Sequence, residues 1–162
     1  MLRLGWMSTA RGEGSMALLR YVCEHIEAGA LDARISVVVS NREPGESPQT
    51  DRFFQYVREH GLPLACESSR KFRETAPEGE WRTRFDALLA SHLDRYEVDV
   101  ILLAGYMLIV SESLCTRYPL LNLHPALPGG PTGTWREVMD ELARTGALRT
   151  GAMLHVVTPV LD

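Results

Sequence analysis

The chain predicts an α/β fold, a three-layer arrangement of a mostly parallel sheet with helices on both faces. Three observations carry that expectation. Strand-like and helix-like segments alternate along the chain. The run Ile35-Ser36-Val37-Val38-Val39 is apolar enough to be buried on both faces, as parallel strands are. Residues Trp81, Phe85, Leu88, Leu89, His92, Leu93 and Tyr96 form a stripe at helical spacing over Glu80–Tyr96. With 162 residues, the span 1–162 is expected to be one domain with a substantial core.

The elements follow in order. Leu2–Trp6 reads as a first strand. Ser15–Ala28 reads as a helix, with Leu18, Leu19, Val22 and Ile26 on one face and Gly29 at its stop. After the Ile35–Val39 strand, Asn41–Thr50 is a polar turn with two prolines, and a helix spans about Asp51–His60 before Gly61. Leu62–Cys66 is a weaker third strand. Glu67–Gly79 is expected as a solvated loop carrying the basic cluster Arg70-Lys71-Phe72-Arg73. Val98–Leu103 is the central strand, Ser111–Tyr118 a short helix and Pro119–Asn122 a further strand. Thr134–Arg144 is a helix with Thr132 or Thr134 as N-cap, and Ala152–Thr158 is a last strand, expected to run parallel.

Composition excludes several classes. A net charge of −4 argues against nucleic-acid binding, which needs a basic surface. No apolar run approaches the roughly 20 residues that span a membrane. No secretory signal pattern opens the chain. The three cysteines, Cys23, Cys66 and Cys115, lie far apart, as free thiols of a reducing compartment do, so a cytoplasmic location is expected. No histidine pairs with another at metal-ligand spacing, so no metal is expected.

Chemistry concentrates at Asn122-Leu123-His124-Pro125. Residues i and i+2 of a strand share a face, so the Asn122 amide and the His124 imidazole would enter one cavity. Pro125 holds His124 extended, and the Pro/Gly-rich loop behind it opens the strand end. A fixed hydrogen-bond donor beside a group that titrates near neutrality suits acyl transfer. A parallel strand ending at Thr158 beside the one ending at Asn122 would bring Asp162 near His124. A carboxylate there would keep the imidazole protonated. Gly12, Glu13, Gly14 and Ser15 follow the first strand and either cradle a phosphate at a helix N-terminus or form an ordinary turn. Leu103-Ala104-Gly105-Tyr106-Met107 ends the central strand, where ligands of open sheets bind. The apolar stretch Met107, Ile109 and Val110 behind it is core or, less often, the wall of a flat ring. His155, on the last strand, reads as a hydrogen-bonded structural residue.

Together these residues resemble the folate-dependent formyltransferase family. The matching pieces occur in the family's order: Gly12–Ser15, Ser40-Asn41-Arg42, Leu103–Met107, Leu121-Asn122-Leu123-His124-Pro125-Ala126-Leu127-Pro128, Gly133, and Thr150-Gly151-Ala152-Met153-Leu154-His155-Val156-Val157 leading to Leu161-Asp162. The resemblance implies a Rossmann-like formyltransferase fold and a catalytic set of Asn122, His124 and Asp162. It implies 10-formyltetrahydrofolate as co-substrate, held by Met107, Leu108, Ile109, Val110, Val156, Val157, Thr158 and Leu161. The acceptor's phosphate would sit over Gly12, Glu13, Gly14 and Ser15. The implied reaction is formyl transfer to a primary amine, that of glycinamide ribonucleotide in purine biosynthesis. Partners would be small molecules, with neither nucleic acid nor membrane, and a homodimer is left open.

The chain departs from the family at Met16, where Asn is usual, and at Leu108, where Arg is frequent. Gly129-Gly130 and Thr134-Trp135 also differ. These bear on the acceptor more than on the chemistry. A sugar amine or water therefore stands as an alternative acceptor, and a non-catalytic folate- or nucleotide-binding module as an alternative class. Relatives continue past the Asp through a Gly-Pro strand and a helix, so the chain is expected to lack the family's C-terminal elements. A plain dinucleotide site is disfavoured by the glycine spacing and the absence of an acidic residue after the second strand.

Overall fold

The computed structural model describes residues 1–159; Val160, Leu161 and Asp162 lie outside the described residues. The elements are β1 (Leu2–Ser8), α1 (Glu13–Glu27), β2 (Ala33–Ser40), α2 (Pro48–Glu59), β3 (Leu64–Cys66), α3 (Ser69–Thr75), α4 (Trp81–Leu93), β4 (Val100–Leu103), α5 (Glu112–Arg117), β5 (Leu120–His124), α6 (Trp135–Arg144) and β6 (Met153–Val156). They form a six-stranded sheet in the order β3-β2-β1-β4-β5-β6. β1 through β5 pair in parallel, as expected.

Strand alternation builds two cores. Trp6 and Val38 point to one face and meet Leu19 and Cys23 of α1 and Phe53, Phe54 and Val57 of α2. Met7, Val37, Val39, Ile101 and Leu103 point to the other and meet Phe85, Leu89 and Leu93 of α4 and Leu114 of α5. The helical stripe read from α4 therefore lies on the sheet. Gly5 leaves room for β4 side chains, since a Cβ there would stand 2.9 Å from Ile101 Cγ1.

Three expectations change. α2 begins at Pro48 rather than Asp51, because Ser47 caps it by accepting the Thr50 N–H and Pro48 suits the first helical turn. The basic cluster is not in a loop: Arg70–Arg73 lie on α3, which Ser68 caps by accepting the Lys71 N–H. β6 runs antiparallel to β5, with Leu121 opposite Val156 and His124 opposite Met153. The Val157 N–H donates to the Leu120 carbonyl at 2.9 Å, so residues 157–159 leave at the amino end of β5. The parallel placement that would have led the chain past the Asn122 end therefore fails. A four-residue strand carries no local signal of direction; direction follows from the connection.

Candidate active site

The sheet order reverses beside β1: the chain steps from β1 outward to β2 and β3, then returns to β4 on the other side. Ligand crevices of open α/β sheets form at the carboxyl ends of such strands. Here the two strand ends are stitched together. The Thr9 N–H donates to the Gly105 carbonyl at 3.1 Å. The Met107 N–H donates to Thr9 Oγ1 at 2.8 Å. Ala10 has φ 52, a left-handed conformation rare outside glycine. The Thr50 hydroxyl holds it there by donating to the Ala10 carbonyl at 3.1 Å.

The expected phosphate loop divides in two. Gly12 is the N-cap of α1 and offers no side-chain bond to the first-turn N–H groups. A Cβ at Gly12 or Gly14 would meet nothing within 4 Å, so this helix end is open. Glu13 is exposed in the first turn. Ser15 instead turns inward: it is buried, and its Oγ lies 2.6 Å from where a Cβ on Gly105 would be. With φ 69 as well, position 105 requires glycine. Met16, Arg20 and Arg52 continue from Gly12 along a groove of about 480 Å³ between α1 and α2.

On β5, Asn122 and His124 are half-buried on the same side of the strand, alternating with exposed Leu123. Each is held by a different neighbour. Asn122 faces His155 across the β5–β6 pair, and its Nδ2 lies 3.0 Å from His155 Nε2. An amide nitrogen only donates, so His155 Nε2 accepts and its ring proton sits on Nδ1, 3.3 Å from the Val156 carbonyl. His155 is thus a hydrogen-bonded residue, as expected, but its partner is the site amide. His124 Nε2 lies 2.9 Å from the Pro131 carbonyl, so that nitrogen carries hydrogen and donates. The loop that supplies Pro131 ends in a capping box, in which Thr134 and Glu137 exchange bonds at the start of α6. The third expected member, Asp162, lies outside the described residues, as does Leu161.

The residues expected to hold a pterin fall into two groups. Leu108, Val110 and Val157 pack against the α4-side core, while Met107 and Ile109 stand half-exposed at 51% and 48%. Val156 is exposed on the outer face of β6, and Thr158 is exposed after it. The Met107–Val110 run is therefore not simply core. Leu108 also walls a cavity of about 580 Å³ with Arg70, Arg73, Trp81 and Arg82. Arg73 and Arg82 lie over the Trp81 ring at 5.6 and 5.3 Å from its centroid.

Sequence reading passed over two buried groups beside this segment. Asp86 is 3% exposed and accepts the Ser111 N–H at 2.5 Å. Burial pushes its carboxyl above the ordinary carboxylate range, although that bond opposes the shift. The Tyr106 hydroxyl is buried without a hydrogen-bond partner among the described residues, and desolvation drives its pKa far up. An Asp at α4 position 86 is visible as a polar break beside Phe85, the only local signal of its role. No group of three or more His, Cys, Asp or Glu among the described residues could hold a metal ion. No helix among them is long and apolar enough to cross a membrane.

Several known proteins are similar to this chain. Phosphoribosylglycinamide formyltransferase of Dictyostelium discoideum is 25% identical over 159 residues, covering 92% of this chain and 74% of that protein. Formyltetrahydrofolate deformylase of Haemophilus influenzae is 27% identical over 136 residues, covering 83% of this chain and 42% of that protein. The solved structure of glycinamide ribonucleotide transformylase 1 from Symbiobacterium toebii superposes with a TM-score of 0.79 at 28% identity, covering 100% of this chain and 68% of that one. The formyl transferase family itself matches residues 11–162, a span holding the open helix end at Gly12, the Gly105 end of β4 and the Asn-x-His strand. This chain belongs to the formyl transferase family.

Proposed function

We propose that this protein transfers the formyl group of 10-formyltetrahydrofolate to a primary amine, that of glycinamide ribonucleotide. One observation carries the reading: a carboxamide and an imidazole share one face of β5, next to the switch-point strand β4, in a chain matching the family over residues 11–162. The amine attacks the formyl carbon, a carbon–nitrogen bond forms, and the carbonyl electron pair moves to oxygen. The carbon–N10 bond then breaks, and N10 takes up the proton that the amine loses.

The oxyanion needs donors fixed before it forms. Asn122 spends one N–H on His155 and keeps a second for the formyl oxygen. His124 spends its Nε2–H on Pro131; once protonated, it offers Nδ1–H. Bonds to His155 and Pro131 thus orient the two donors without exhausting them. The family resemblance, rather than the course of β6, assigns Asp162 to keep His124 protonated, and it or a water relays the amine's proton. The uncapped start of α1 at Gly12 suits the acceptor's phosphate. Met107 and Ile109 suit the pterin ring. Arg70, Arg73 and Arg82 suit the anionic glutamate end of the donor.

The test follows loss of 10-formyltetrahydrofolate by absorbance, with glycinamide ribonucleotide, a sugar amine, or no amine. Loss that requires glycinamide ribonucleotide supports the proposal. A second reading, with water as acceptor, draws on the similarity to the deformylase and on Met16 beside the open helix end. Amine-independent loss with formate released would establish that reading instead. Folate binding with the formyl group intact under every condition would leave a binding module.

A further inference from the structure

We propose that Asp86 is a positioning residue for the formyl donor, acting together with Thr9 to clamp the Met107–Val110 segment so that Met107 and Ile109 stand ready as one wall of the donor pocket. The inference rests on the assignment of that segment to donor binding and extends it to a residue outside the pocket.

The segment joins β4 to α5 and is pinned at both ends by side chains from other elements. At its start, Thr9 Oγ1, from the loop after β1, accepts the Met107 N–H at 2.8 Å. At its end, Asp86 Oδ2, from α4, accepts the Ser111 N–H at 2.5 Å. Both acceptors are buried, Thr9 at 5% and Asp86 at 3% exposure. A short bond from a buried carboxylate is stronger than one between neutral groups, so the end of the segment is firmly held. Between the pins, Leu108 and Val110 pack onto the core and Met107 and Ile109 face outward. Apolar side chains left exposed on a segment tied at both ends are in place before a ligand arrives, which lowers the ordering cost of binding.

A carboxylate placed at 3% exposure carries a desolvation cost that an ordinary core position would not bear. Its described hydrogen bond serves Ser111 and nothing in α4. Arg82, one turn earlier on α4, also acts on Asp86 through its charge, but the hydrogen bond itself goes to the loop.

Asp86→Ala removes the acceptor. Ser111→Pro removes the donor at a residue whose φ of −75 proline adopts readily. Each is expected to raise the KM for 10-formyltetrahydrofolate about tenfold while kcat and the KM for the amine stay within about twofold. The double variant should be no worse than either single one, because both break the same bond. Asp86→Asn, which retains an acceptor oxygen, should recover most of the affinity. Amide exchange of residues 107–111 in the ligand-free protein should quicken in Asp86→Ala and Ser111→Pro.

Additive losses in the double variant, unchanged exchange, or kcat falling with KM unchanged would each overturn the clamp. Should Asp86→Ala not fold, Asp86→Asn and Ser111→Pro still decide it. Exchange read without folate separates the two failures: quickened exchange with no formyl-donor turnover by the unmodified protein would refute the functional reading and leave the clamp standing.

Discussion

β1 and β6 belong to one sheet and lie three positions apart, yet they are built differently. β1 buries every residue from Leu4 to Ser8, and β2 buries most of its length. β6 buries none of its residues fully, and β5 only Leu120. Asn122 and His124, the donors of the proposed reaction, and His155 beside them lie on β5 and β6, at one end of the sheet. The inner strands supply the crevice edge and its rigidity. The proposed donors thus sit where burial is partial, and the inner strands beside them sit where burial is complete.

The sharpest way to break that contrast is to truncate an apolar side chain in each region. Phe54→Ala, in the core on the α2 side, should cost about 3–5 kcal/mol in denaturant unfolding, whereas Leu154→Ala on β6 should cost about 0.5 kcal/mol or less. Similar losses at both positions would erase the distinction. Next in size, Asn122→Ala and His124→Ala should each lower formyl transfer about 10²–10³-fold, with unfolding free energy shifted by less than about 1 kcal/mol. Near-normal turnover in either variant would remove the oxyanion role. Thr134→Ala breaks the capping box on the loop that supplies Pro131 and should cost about 1 kcal/mol, with faster amide exchange confined to the start of α6.

The smallest effect lies at the rim of the inner half. Arg3 bonds Asp99 where β1 meets the start of β4 and lowers the Asp99 pKa to about 2. A depressed carboxyl stabilises the fold above its unfolded pKa of about 4 and loses that contribution as pH falls toward 2. Unfolding midpoints measured across this window should fall less steeply in Asp99→Asn than in the unmodified chain. Parallel curves would show that the pair contributes nothing measurable, as many exposed pairs do.

Much of this architecture is legible residue by residue. The apolar run of β2, the stripe on α4 and the Thr134 cap each mark their element because strand and helix periods place side chains on defined faces. Asn122 and His124 share a face for the same reason. The α3 helix was not legible, because Ser68 as cap and Phe72 as contact are too few signals in a basic stretch. Asp86 reads as an ordinary polar position until its burial and its bond to Ser111 are known.

By itself the sequence determined the order of the elements other than α3, the parallel inner sheet and the pairing of a carboxamide with an imidazole, since all three rest on local periodicity. Only the tertiary structure decided that β6 runs antiparallel, that His155 meets Asn122, that Pro131 meets His124 and that Asp86 reaches Ser111. Those contacts join residues 7 to 33 positions apart or depend on a strand's direction, and no local pattern encodes which distant partner a polar atom will find.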